Sequence, residues 1–506
     1  MAVTSSSAHP VEEDGAPHSL EADDLQSQGR SSADTEANEN WNPNTELLYP
    51  DRPTPRPDEG KLSLLDGLAL VIGLQVGSGI FAAPSQVTLH VPSAVAGVSV
   101  WVLAGLLVWT GAASVIELGL QVPLNGGIQE YLRECYGDFA ACAFTWSWIG
   151  ISRPASMALI TGIFADYICR AFLPADSHVA APWLATKAVG LAGLWIITYA
   201  NCTGARTGPS IAGAFMFLKL ATLIGITIVG FGAAIWGKMY GPDKSGRVTW
   251  ATPDVTPPDD QPTASLKTLD DALFAALFCY AGWETIGFFL GDMQNPKRDL
   301  PRALTAAISI VTVGFALVNI SLYMVLPLDV IRATSTPVVV FAQVLLGTPA
   351  VVVVSLMIAA SCIGALNANV YATATLCVAA SRRAYLPPVF ETRPLQWPWQ
   401  RPSRRRGPAR PDNAEPSQCK VPTIAMIMNS ALASVFFCMG TFTQLVAFKG
   451  IVEYFFFFFT ILGVFVLRSR QNTEGISPYR TGSWNPIIFR HCIDVNYYTI
   501  LHYLSG

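Results

Sequence analysis

Residues 73–81 read Gly73-Leu74-Gln75-Val76-Gly77-Ser78-Gly79-Ile80-Phe81, in the middle of an apolar run from Leu62 to Leu89. The run is long enough to cross a bilayer, for which about 20 apolar residues suffice. Its centre makes a poor uninterrupted helix, because each glycine costs up to about 1 kcal/mol relative to alanine. In hydrocarbon an interruption persists only where the freed backbone groups face a cavity, other protein or a polar ligand. Two readings follow. In one, the helix breaks and its second half starts near Gly79, offering free N–H groups and a positive dipole end to a carboxylate. In the other, the glycines are a small-residue face for close helix packing.

The composition fits a membrane setting. The chain has 506 residues, 51% hydrophobic and only 13% charged, where an ordinary soluble domain carries about 25% charged residues. A net charge of −4 gives no reason to expect nucleic acid. The 10 cysteines are scattered without a CxxC pair, so the spacing of a metal site or disulfide framework is absent. The 6 histidines fall in tails, loops or span ends, and no Ser/His/Asp set is visible. No catalytic residue, metal or cofactor is expected, and the chain does not read as an enzyme.

Residues 1–60 are rich in Ser, Pro, Glu and Asp with no apolar period. Such a segment cannot bury enough surface to offset its ordering entropy, and it reads as a disordered acidic tail. About ten apolar spans follow, near Leu62–Leu89, Ser93–Leu120, Phe139–Ala171, Pro182–Cys202, Pro209–Trp236, Leu269–Met293, Ala303–Pro327, Pro349–Ala380, Val421–Met439 and Leu445–Leu467. Val338–Leu346 is too short to cross and reads as a surface helix. Residues 391–420 are a Pro/Arg-rich insert and 468–506 a divergent tail. Loop charge sets the orientation. Lys297, Arg298 and Arg302, then Arg382, Arg383 and the run from Arg393 to Lys420, then Arg468 and Arg470 all lie on one side if both termini are cytoplasmic. The 238–268 loop, with Lys238 and Arg247, is a moderate exception on the opposite, extracellular side.

A second interruption is visible in the sixth span, at Phe278-Cys279-Tyr280-Ala281-Gly282-Trp283-Glu284-Thr285. An Ala-Gly pair and an acid stand in the middle of an otherwise apolar helix, five spans after the first break. Interrupted segments at corresponding positions in two halves point to a mid-membrane binding site. Lys219 is a lone cation deep in the fifth span. A charge there is costly unless paired or solvated, so it reads as functional. Glu284 carries a weaker form of that argument. Glu117 and Asp166, nearer their span ends, read as structural or interfacial.

Four stretches carry a family resemblance: GSGIF at 77–81, VIELGLQVPLNGG at 115–127, FCYAGWETIGFFLGDMQNPKRDLPRA at 278–303, and IGALNANVYATATLCVAASRRAYLPPVF at 363–390. Together they resemble the L-type amino acid transporter branch of the amino acid–polyamine–organocation superfamily, most of all its fungal members. The resemblance implies an all-α polytopic membrane protein, an inverted 5+5 repeat (61–237 and 269–467) with broken helices 1 and 6. By that likeness the N–H groups of Ser78 and Gly79, with the Ser78 hydroxyl, hold a substrate carboxylate, and the neighbouring Gly77 and Ile80 belong to the same binding segment. The carbonyls of Gln75, Phe278 and Ala281 take its amine, beside Gly282 and Glu284. Phe278 is the aromatic lid, with Trp283 packed behind it. Lys219 matches a fifth-helix lysine whose fixed charge stands where related transporters bind sodium, which implies sodium independence.

The departures from the family pattern are Ala281 for a usual glycine, Glu284 for Asn, and Thr375 for a frequent Arg. Residues 170–187 contain no cysteine, so no disulfide-linked heavy chain is expected. The family's last two spans are not recognisable beyond Pro478–Phe489. The expected function is secondary active transport of neutral L-amino acids by alternating access at the plasma membrane, with the bilayer and the amino acid as partners. Neutrality is inferred because no second strong charge is obvious in the pocket. Two other readings stay open, an amino acid sensor without useful flux and a truncated inactive transporter.

Overall fold

The structure is a computed structural model describing residues 62–172, 183–202, 207–237, 262–390, 422–471, 482 and 486–488. The acidic tail, the 391–420 insert, most of the 238–268 loop and nearly all of the tail after 471 lie outside the described residues. Those that are described are overwhelmingly helical, with one isolated β-bridge between Leu62 and Met293.

The first span is broken. α1 (Leu64–Gln75) starts at a capping box, in which the Ser63 hydroxyl accepts from Asp66 N–H and the Asp66 carboxylate accepts from Ser63 N–H. That arrangement satisfies two donors a helix start leaves orphaned. α1 ends at Gln75, three residues are non-helical, and α2 (Gly79–Leu89) leaves at 45° to it. α3 (Ala94–Gln121) follows, then the short α4 (Ile128–Tyr136) and α5 (Asp138–Ser147). A π-helical turn, Trp148–Ser152, joins α5 to α6 (Arg153–Phe172). Single π turns inside helices cluster at functional sites. α7 (Trp183–Cys202) and α8 (Thr207–Ile235) complete five apolar spans.

The second half repeats the pattern. α9 (Pro262–Cys279) stops at a turn, and Trp283–Asp292 continues as a 3₁₀-helix. α10 (Pro296–Val325), the short α11 (Leu328–Ala333) and α12 (Pro337–Leu346), α13 (Thr348–Arg382), α14 (Thr423–Met439) and α15 (Phe442–Gln471) follow. Among the described residues eight helices are long and apolar enough to cross a membrane, or nine with the bent α1–α2 pair. The expected span at Val421–Met439 is the 17-residue α14, about 26 Å long at 1.5 Å per residue. It packs against α6, α7 and α13. The expected surface helix at Val338–Leu346 is α12.

Packing sets the two breaks side by side. α1 lies along the 3₁₀-helix and α2 along α9, while α8, α10 and α13 enclose α1. Leu62 N–H donates to the Asp292 carbonyl at 2.7 Å, and Gln294 N–H to the Leu62 carbonyl at 3.1 Å, tying the start of α1 to the end of the 3₁₀ segment. The bundle end where α3, α13 and α15 finish is closed by two ion pairs, one buried and one half-buried. Arg468 grips Glu117 through two contacts of 2.6 Å, and Arg383 pairs with Glu130 at 3.0 Å. Glu117, read from the sequence as structural or interfacial, is fully buried in this ion pair.

Candidate functional site

Breaking α1 strands backbone groups that a continuous helix would pair, and each is met in a different way. The last helical bond runs from Val76 N–H to the Ile72 carbonyl. The next carbonyl, Gly73, accepts from the Lys219 ammonium at 2.5 Å, with Lys219 fully buried. The Gly77 carbonyl accepts from the Ser361 hydroxyl at 3.3 Å. Across the cleft, the Tyr280 carbonyl accepts from the Gln75 side-chain amide at 3.0 Å, so one side chain bridges both gaps. Ser78 caps α2 without using its hydroxyl, and the first N–H groups of α2 face the gap as a helix start requires.

The α9 break depends on Gly282. Its φ is +106°, and a Cβ there would meet the Leu74 Cβ at 2.8 Å. Gly79 is tight for another reason: a Cβ would lie 2.9 Å from the Cys279 Sγ and 3.3 Å from its Cα. Close approach and the helix break are therefore one feature, in which the start of α2 abuts the end of α9. Gly73 has nothing within 4 Å of its would-be Cβ, so it serves no packing face.

A cavity open on one side lies between the gaps. Gln75, Gly77, Ser78, Gly79, Phe278, Ala281, Gly282 and Glu284 line it, bringing together eight of the eleven residues singled out above. Three are elsewhere. Ile80 is fully buried in the apolar core, because it faces away from the gap one residue after Gly79. Lys219 sits behind α1. Trp283 lines an adjoining, mostly apolar cavity that shares Phe278, Ala281, Lys449 and Glu453, and its ring packs on Phe457 at 5.4 Å between centroids. The Phe278 carbonyl, expected to await an amine, already accepts from Ala281 N–H at 3.3 Å.

The absence of a second strong charge in the pocket does not hold. Arg153, Lys449 and Glu453 line the same cavity as Glu284. Arg153 donates to Glu284 at 3.0 Å and to the Thr285 hydroxyl at 2.9 Å, and lies over the Trp148 and Phe288 rings. Gly282 N–H also donates to Glu284, at 3.0 Å. Lys449 pairs with Glu453 at 2.5 Å, and the Ser152 hydroxyl donates to Glu453 at 2.7 Å. The π turn is what carries Ser152 and Arg153 to this face. Arg153 was findable by the argument that found Lys219, a lone cation in mid-span. Among the described residues no group of three or more His, Cys, Asp or Glu is placed to hold a metal ion.

Residues 62–500 match the sequence pattern of the family described as "Amino acid permease". The chain belongs to that family. The permease is 27% identical over 430 residues to the b(0,+)-type amino acid transporter 1 of Mus musculus, covering 85% of this chain and 80% of that one. It is 28% identical to the cystine/glutamate transporter of Homo sapiens over 65% of this chain and 62% of that protein. With the Asc-type amino acid transporter 1 of Mus musculus the figures are 25%, 81% and 71%. These relatives agree with the L-type branch that the motifs resemble. The permease is an integral membrane protein, and its cavity sits where both broken helices open.

Proposed function

We propose that the permease is a secondary transporter that moves neutral L-amino acids by alternating access. The observation that carries this is the pairing of two helix gaps across one cavity, with the α2 start on one wall and the carbonyl-rich α9 turn on the other. A zwitterion needs donors at one end and acceptors at the other, and two adjacent breaks supply both without burying a full unpaired charge. Neutral cargo follows from charge balance, since the lining carries two cations and two anions already joined in pairs. With both termini cytoplasmic, as the loop charges favour, the Glu117–Arg468 and Glu130–Arg383 pairs close the inner end and separate when the site opens inward.

Sodium independence rests on Lys219. Its ammonium occupies the Gly73 carbonyl, one of the groups a broken first helix would otherwise offer to a cation. A hydrogen bond to a charged group is worth about 1.5–3 kcal/mol, so Lys219→Met is expected to cut exchange by more than about tenfold. Counterflow of labelled amino acid in proteoliposomes measures this, with and without sodium. Native-like rates in the variant would show the charge to be incidental. Binding without any counterflow in the native chain would instead favour a sensor.

A further inference from the structure

The gaps account for the invariant part of an amino acid, its carboxylate and amine. They leave unexplained why the rest of the cavity is so polar. Arg153 and Asn369 enter it from α6 and α13, and Lys449 and Glu453 from α15. All four are at least nine-tenths buried. Three atoms on lining residues have no hydrogen-bond partner: Gln75 Oε1, Asn369 Oδ1 and Arg153 Nε. Two of these are acceptors and one is a donor. A buried polar atom left unmet is costly, and these three stand on side chains that line the cavity, within a side-chain adjustment of a ligand that donates and accepts. Lys449 also lies over the Phe278 ring, 5.5 Å from its centroid, which couples the ion pair to an aromatic that lines both cavities.

Charge narrows the ligand further. Each carboxylate of the cavity is held by a cation and by at least one further donor, as described above. A ligand side chain with net charge would attract one member of each pair and repel the other, so the paired lining gains nothing from it. An aliphatic side chain fits the charge balance but leaves the orphaned atoms unmet. A side chain that is uncharged and carries both donor and acceptor satisfies both conditions.

We propose that Arg153, Asn369 and the Lys449–Glu453 pair select amino acids with carboxamide or hydroxyl side chains, against aliphatic chains of the same length and against charged ones. The inference rests on the transport reading above and names its substrate class. Sites built to hydrogen-bond a ligand group discriminate strongly against analogues lacking it, by well over about tenfold.

The test uses the purified full-length chain, with thermal stabilisation by ligand as one readout and competition of counterflow as the other. The probes are L-glutamine, L-norleucine, L-glutamate and L-lysine. Glutamine is expected to stabilise and compete at concentrations at least about tenfold below the other three. In the variant Asn369→Ala, which removes one of the unmet acceptors, its advantage over norleucine is expected to shrink towards unity. Where that variant does not insert, Gln75→Met, which removes the other, is expected to show the same loss. Norleucine matching glutamine, or a charged probe surpassing it, would overturn the proposal, as would an undiminished glutamine advantage in both variants. No stabilisation by any amino acid would instead overturn the transport reading on which the proposal rests.

Discussion

Arg153→Met is expected to destabilise the folded chain and abolish transport together. The guanidinium is 3% exposed and is the ion-pair partner of Glu284, itself 2% exposed. Methionine fills much of the volume but leaves the Glu284 carboxylate inside the bundle without its ion-pair partner. Removing one partner of a buried pair costs about 3–5 kcal/mol, chiefly because the other charge is left uncompensated. The thermal unfolding midpoint in detergent should fall markedly. Adding Glu284→Gln should recover part of that loss by removing the stranded charge, while transport stays absent because the cavity wall is changed. A single variant as stable as the native chain would show that the pair does not carry the structure around the α9 break.

Gly79→Val is the second large effect. A Cβ at this position already crowds the Cys279 sulfur at 2.9 Å and the Cys279 Cα at 3.3 Å, and valine adds two methyl groups in the same direction. Uptake should be lost while surface expression is retained, since only the junction of α2 with α9 must shift. Gly79→Ala separates sterics from electrostatics. It should impair uptake partially, and Cys279→Ala in that background should restore part of it by removing the nearest obstructing atom. Full activity of Gly79→Val would remove the start of α2 from the site.

The breaks were legible because glycine, serine and an isolated acid are costly in the middle of a lipid-crossing helix, whatever surrounds them. Lys219 was legible for the same reason. Arg153 obeyed that rule too but stood next to Pro154 inside a long apolar run, where the α6 helix alone gives no hint of a partner. Its partner, Glu284, is 131 residues away. Lys449 and Glu453 stand in the third and fourth turns of α15, at an i,i+4 spacing that equally suits an ion pair on an outer helix face. Only packing against α9 and the π turn shows that they face inward. The π turn and the 3₁₀ form of Trp283–Asp292 have no sequence signature, since both arise from the contacts their neighbours impose. Ile80 shows the converse limit: membership of a recognisable motif says nothing about which way a side chain points.

The central claim is that the paired gaps hold a zwitterion by its two charged ends. The direct measurement is competition of counterflow by the best-competing amino acid, by its α-amide and by its N-acetyl derivative, with the side chain held constant. Each modification removes one charge-assisted set of hydrogen bonds, worth about 1.5–3 kcal/mol per bond, so each derivative should compete at least about tenfold more weakly than its parent. An α-amide or N-acetyl derivative that competes as well as the free amino acid would contradict the account.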